Sequence, residues 1–344
     1  MEGAAGVIPS AEMKDHSCRP DRVTQPTQQG SVAGRAGAGS VIGVPRAIFY
    51  YTHPHLWETF LSGLDLPVVV SAPSTEVTVR TAARISEAEH CLPNKLFDAH
   101  LHELGPAVDR VLVPRILSTV RGHIACPKLA ALPDAARVLL AGQRASVLSL
   151  EVDENRRPLL DSLADLGLEL GAPPDQARAA AEGAIAAMTA AETRATDAAG
   201  ESAGQRPVLI LGHPYTLGDR YIAGPILGKL KRMNVPLQVM SFSRSTVRES
   251  FVKWDTSAKM YHQLLEVSPA GWAGVVQITS FNCGCDSMMI ELFRSVARDR
   301  GVPYMVVMVD EHTAQGGLET RIEAFVDTTA ERLARSPRPA AAGW

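Results

Sequence analysis

The sequence predicts an α/β protein with two open parallel-sheet domains of the Rossmann-like or flavodoxin-like kind, a helical connector and a site between them. Three observations predict it. Short apolar runs such as Val41-Ile42-Gly43-Val44, Arg110-Val111-Leu112-Val113 and Val208-Leu209-Ile210-Leu211 recur along the chain, as buried parallel strands do. Stretches of helical periodicity separate them, the alternation that βαβ units require. At 344 residues the chain has room for two domains of ordinary size.

Residues 1–39 are rich in Gly, Ala, Gln and Ser without periodicity, and read as a disordered extension that contains Cys18. The N-terminal α/β domain is expected over 40–153. Its first strand, ending at Val44, is followed by a helix from about Pro54 with Leu56, Phe60, Leu61 and Leu64 on one face. Pro67 to Val70 is a second strand. Ser74 or Thr75 can cap a helix carrying Val79, Ala82, Ala83 and Ile85. A helix over Asn94 to Leu104, a strand over Arg110 to Val113 and a strand over Ser146 to Val152 complete this domain.

Residues 154–206 form the expected connector. Asp161 to Glu169 and the Ala-rich Asp175 to Ala191 are helical, with Pro173 and Pro174 suited to a helix start, and Thr196 to Arg206 is polar. The C-terminal α/β domain spans 207–335. Its strands are expected at Val208 to Leu211, Pro236 to Met240, Trp272 to Thr279 and Pro303 to Val309. Its helices are expected at Ala223 to Met233, Ser287 to Arg298 and about Leu318 to Leu333. Residues 336–344 are a tail.

The balance of 46% hydrophobic and 21% charged residues is that of an ordinary soluble globular protein. A formal net charge of −3 gives no electrostatic reason to expect a nucleic-acid or membrane partner. The longest apolar runs, such as Tyr304 to Val309, fall far short of the roughly 20 residues that a bilayer requires. The N-terminus lacks the apolar core of a signal peptide, so a cytoplasmic location is the default expectation. Five cysteines in a chain of this size do not make a disulfide framework.

The positions of those cysteines carry more than their number. In open α/β sheets, ligands bind beyond the carboxyl ends of the strands. Cys91 lies in a loop directly before a helix, Cys126 follows the strand ending near Val113 by a dozen or so residues of loop, and the pair Cys283-Gly284-Cys285 sits between a buried strand and the next helix. Helix N-termini favour the thiolate, which is the metal-binding form. Pro127 fixes the loop after Cys126, Gly284 permits close backbone approach, and Lys95 and Lys128 stand ready to offset negative charge. Spacing alone leaves three readings open: a metal cluster, a structural four-cysteine Zn site, and thiols that simply pack in the core.

Other groups are candidates for chemistry. His213 and Tyr215 follow a strand directly, as a proton donor or acceptor and a hydrogen-bond donor to an acyl oxygen; the alternative is that they only pack a domain interface. Asp219 is expected to anchor that loop or cap a helix. Asp310, Glu311 and His312 close the last strand, as a hydrogen-bonded scaffold in preference to a metal site. Arg321 and Glu323 read as structural ion-pair formers, and Thr52-His53-Pro54-His55 as the start of a helix. Gly224 to Lys229 misses the phosphate-loop pattern in both spacing and the Ser or Thr for Mg²⁺, and no dinucleotide fingerprint follows any strand.

Ile42-Gly43-Val44-Pro45-Arg46-Ala47, Cys91-Leu92-Pro93-Asn94-Lys95, Val113-Pro114-Arg115-Ile116, Cys126-Pro127-Lys128, a loop at Ala131-Leu132-Pro133-Asp134, Gly212-His213-Pro214-Tyr215, Phe281-Asn282-Cys283-Gly284 and Asp310-Glu311-His312-Thr313 through Asp327 succeed one another in that order. In this the chain resembles the acyl-CoA dehydratase activase-related family, similar in turn to the 2-hydroxyglutaryl-CoA dehydratase D-component and benzoyl-CoA reductase subunits. The resemblance implies a [4Fe-4S] cluster on Cys91, Cys126 and Cys283, between two α/β domains. It implies a redox component in anaerobic metabolism, passing a low-potential electron from a separate ATP-dependent activase to an acyl-CoA substrate or dehydratase partner subunit, and a possible dimer. Where the family usually has Pro after the Cys-Gly pair, this chain has Cys285, either a fourth ligand or a spectator thiol. A fourth ligand implies a fully ligated electron-transfer or interaction subunit; zinc in the site implies a Zn-stabilised binding protein.

Overall fold

A computed structural model describes residues 40–197, 206–242, 250–311 and 315–335. Cys18, His312, Thr313, the tail and most of the polar part of the connector lie outside the described residues.

The first half runs β1 (Ile42–Val44), α1 (Phe49–Thr52), α2 (Leu56–Gly63), β2 (Val68–Val70), α3 (Glu76–Ile85), α4 (Leu92–Leu104), β3 (Arg110–Leu112), β4 (Arg115–Ser118), α5 (Pro127–Leu139), β5 (Ser146–Leu148), β6 (Glu151–Asp153), α6 (Leu159–Glu169) and α7 (Pro174–Asp197). The second half continues with β7 (Val208–Gly212), α8 (Pro214–Gly218), α9 (Arg220–Arg232), β8 (Leu237–Val239), α10 (Asp255–Glu266), β9 (Gly274–Ser280), α11 (Gly284–Asp299), β10 (Tyr304–Val309) and α12 (Gln315–Arg335).

Each half holds a four-stranded sheet, ordered β2-β1-β3-β5 in the first and β10-β9-β7-β8 in the second. Every strand pair in them is parallel. The fold is therefore the α/β architecture that the alternation predicts. In the second sheet the strand order turns back between β7 and β9, whose residues are buried throughout. The crevice beyond the carboxyl ends of two such strands is the usual ligand position in this architecture.

Several local expectations need correction. The single strand expected over Ser146 to Val152 is two, β5 and β6. The chain leaves the main sheet after Leu148, and β6 pairs with β4 in a separate two-stranded ribbon. Ala131 to Asp134 is not a loop but the middle of α5, with Pro133 inside the helix. The helix expected from Ser287 starts at Gly284, which places Cys285 in its first turn. The loop expected between Val113 and Cys126 contains β4, and helices α1, α5, α8 and α10 have no counterpart in the expectations.

The residues read as a connector contribute α6 and α7 to the first hydrophobic core, through Leu159, Leu163, Leu166, Ala181, Ala184 and Met188. Small residues permit that approach: a Cβ on Gly63 would meet Ala180 Cβ at 2.9 Å, and one on Gly167 would meet Ala177 Cβ at 2.7 Å. Burial of aliphatic side chains of this size stabilises by roughly 1.5–3 kcal/mol each.

Helix α4 ties the halves together. Leu92 and Leu96 belong to the core of the second sheet, whereas Phe97, Leu101 and Leu104 belong to the first. From Leu92 to Leu101 the helix is covered on all sides and buries even its polar residues, here Asn94, Lys95, Asp98 and His100. Polar bridges reinforce the junction. Ser74 Oγ donates to Asp219 Oδ2 at 2.5 Å, and Thr119 Oγ1 to Asp255 Oδ2 at 2.6 Å. Ile124 forms an isolated parallel bridge with Trp254.

Candidate functional site

Four helices begin on one locus, and the residue before each is a candidate ligand or acid. Cys91 is the N-cap of α4, Cys126 of α5, His213 of α8 and Cys283 of α11. Proline occupies the first turn of α4, α5 and α8, a position where its missing N–H costs nothing. The partial positive charge of a helix N-terminus favours anions. His213 follows β7 and Cys283 follows β9, the two strands at the turn-back of the second sheet.

The ordered cysteines converge although they come from both halves. Cys91, Cys283 and Cys285 are buried, Cys126 is half-buried, and all are free of disulfides. Tyr215, itself buried, feels the charge of Cys283, Cys126 and Cys91 together, and burial first and these neighbours next push its phenol well above the ordinary range. Cys91 and Cys283 interact electrostatically across the junction. The neighbouring Cys285 thiol is the largest influence lowering the Cys126 thiol to about 6, with the amides of Lys128 and Leu129 helping. Cys285 is pushed up by its Cys126 neighbour and then by burial. Burial raises Cys91 in spite of a hydrogen bond from Asn94 Nδ2 to its sulfur at 3.1 Å.

His213 is not a lone histidine. Its Nε2 lies 3.1 Å from Asp286 Oδ1 and 3.9 Å from Cys283 Sγ, and its ring stacks on Tyr215 at 4.9 Å between centroids. The other Asp286 oxygen accepts from Thr279 Oγ1. Burial works against charge on both partners, yet mutual attraction prevails. His213 is raised well above its usual value and Asp286 is lowered. Sequence reasoning missed Asp286 and Thr279 as members of the site. Asp286 stands three residues after Cys283, so the spacing on α11 was its only sequence signal.

Two expected charge partners lie elsewhere. Lys95 reaches Glu311 at 2.5 Å instead of facing the cysteines, so that pair bridges the halves. Lys128 donates to the Glu89 carbonyl at 3.0 Å while its charge still lowers Cys91. Asp219 caps α9 through Tyr221 N at 2.8 Å. Glu323 pairs with Lys229 and Arg321 donates to the Val306 carbonyl, so these two do not pair with each other. His53 and His55 flank the junction between α1 and α2.

The donor set fits an iron–sulfur cluster: four free cysteines, with anion-favouring helix starts around them. His213, Cys283 and Asp286 also form a group whose ligand atoms lie within 4.8 Å of one another. Among the described residues no helix is long and apolar enough to cross a membrane.

A search of curated proteins finds no match. Among solved structures, a Salmonella typhimurium LT2 protein described as a candidate sugar binding protein aligns with 87% of this chain and 89% of its own at 10% identity. Its TM-score of 0.22 is too low to carry any argument. The profile described as CoA enzyme activase uncharacterised domain (DUF2229) matches residues 41–242, more than half of the chain and the part holding Cys91, Cys126, His213 and Tyr215. The chain belongs to that CoA enzyme activase-related family.

Proposed function

We propose that the chain is the [4Fe-4S]-carrying redox component of a 2-hydroxyacyl-CoA dehydratase or acyl-CoA reductase-like system, akin to the 2-hydroxyglutaryl-CoA dehydratase D-component and benzoyl-CoA reductase subunits. Cys91, Cys126 and Cys283 would hold the cluster. The observation that carries this reading is the meeting of cysteines from both sheets at helix starts around Tyr215. Membership of a CoA enzyme activase-related family supports the acyl-CoA setting.

When bound, such a cluster supplies one-electron transfer at low potential. The chain's own residues supply the surroundings. The buried Tyr215 ring shields the locus from water and keeps its phenol protonated. His213 holds a proton beside Cys283 Sγ, with Asp286 as its counter-charge. The N-termini of α4, α5 and α11 offset the negative charge of thiolate ligands. Since no phosphate-loop pattern occurs, an ATP-dependent activase would be a separate partner, with an acyl-CoA or a dehydratase subunit receiving the electron.

The test is metal and sulfide content after strictly oxygen-free purification. About four iron and four acid-labile sulfide per chain are expected. Zinc without sulfide would instead support the second reading, a Zn-stabilised binding protein, which the compact group of His213, Cys283 and Asp286 favours. Against that reading, His213 and Asp286 already engage each other.

A further inference from the structure

A cubane on three cysteines leaves one iron in need of a ligand, and the surroundings decide which side chain can serve. Resting on the iron–sulfur reading above, we infer that Cys285 is the fourth protein ligand, so that the site is closed and passes electrons without binding substrate at iron. Cys285 is buried, in the first turn of α11 and two residues beyond Cys283. It stands beside that ligand, and Cys126 from the other half of the molecule is its electrostatic neighbour. It therefore faces the same locus as the three family-matching cysteines.

The competing ligands are engaged. Asp286 has Oδ1 against His213 and Oδ2 against Thr279, so neither oxygen is at liberty. His213 Nε2 is committed to Asp286. Tyr215 lies flat against the imidazole, with an interplanar angle of 11°, and is a poor partner for iron as the neutral phenol. Cys285 has no comparable commitment: its neighbour is Cys126, itself a proposed ligand. On binding iron each thiol surrenders its proton, which leaves both sulfurs to the metal.

Controlled oxidation distinguishes a closed site from an open one, because an iron without a protein ligand leaves first and yields a three-iron cluster. The full chain, loaded with ferrous iron and sulfide without oxygen, is treated briefly with limiting ferricyanide. Iron content and the EPR spectrum are then recorded. The parent is expected to keep its about four irons and show no three-iron signal. Cys285→Ser is expected to lose about one iron in four and to develop that signal. Rapid iron loss in the parent overturns the inference whether or not the variant assembles a cluster, and so does an unchanged response in Cys285→Ser. Failure of the parent to take up iron and sulfide at all overturns the iron–sulfur reading itself. Loss from a loaded parent overturns only the role of Cys285.

Discussion

Lys95 on α4 and Glu311 at the end of β10 meet at 2.5 Å across 216 positions of chain, with side chains only 6% and 16% exposed. Removing one partner of a buried ion pair leaves an uncompensated charge, a change that costs about 3–5 kcal/mol. Glu311→Gln should therefore lower the urea midpoint substantially. The double replacement Lys95→Met/Glu311→Leu should recover most of the loss, because apolar residues of similar volume carry no desolvation penalty. Equal destabilisation by the single and double variants would show that the pair does more than compensate its own burial.

The His213–Asp286 pair should give stability a defined pH window. The raised His213 value contributes stability that is complete below its unfolded value of about 6.5 and lost as pH rises through the folded one. The lowered Asp286 value contributes stability that is complete above about 3.9 and lost as pH falls through the folded one. The contribution of the pair is thus greatest between about pH 4 and pH 6.5. Thermal midpoints of the metal-free protein across pH should decline on both sides of that plateau, and Asp286→Asn should flatten the profile.

Cys126 should be the first thiol to react. Its value of about 6 predicts that alkylation of the reduced, metal-free chain by iodoacetamide rises through that pH. Replacing Cys285 by Ala removes the neighbour that chiefly lowers it, so the midpoint should move upward. Peptide mass spectrometry of the alkylated sites reads both outcomes.

Two glycines of the α6–α7 layer should respond in opposite senses. Gly167→Val drives its Cβ into Ala177, 2.7 Å away, and should cost about 1–3 kcal/mol by overpacking. Gly183 lies exposed within α7 with nothing in reach of an added Cβ, so Gly183→Ala should stabilise by about 0.5–1 kcal/mol. Denaturant unfolding of the two variants separates these effects.

The alternation of apolar runs and helical periods was legible because the central strands β1, β7 and β9 are short, largely apolar and buried on both faces. The loop expected at Ala131 to Asp134 came from the resemblance, and Pro133 inside α5 gave no helix signal, since proline in a helix interior is costly. The β4–β6 ribbon was hidden by the lack of any turn signal between Leu148 and Glu151. At the site, Cys91 and the Cys283-Gly284-Cys285 pair were visible as residues before helices, whereas the helix α5 that starts after Cys126 was not. The pairing of His213 with Asp286 was not visible, because it joins residues 73 apart that only the parallel register of β7 and β9 brings together. The proximity of Cys126 to Cys285 is equally non-local.

Cys91 and Cys126 belong to one half of the chain and Cys283 and Cys285 to the other. Neither half can therefore finish the site by itself, and a cargo gripped by sulfurs from both would act as a rivet. Its loading must come after the halves have docked, and its loss would loosen their junction, making the junction itself an indicator of whether the rivet is in place.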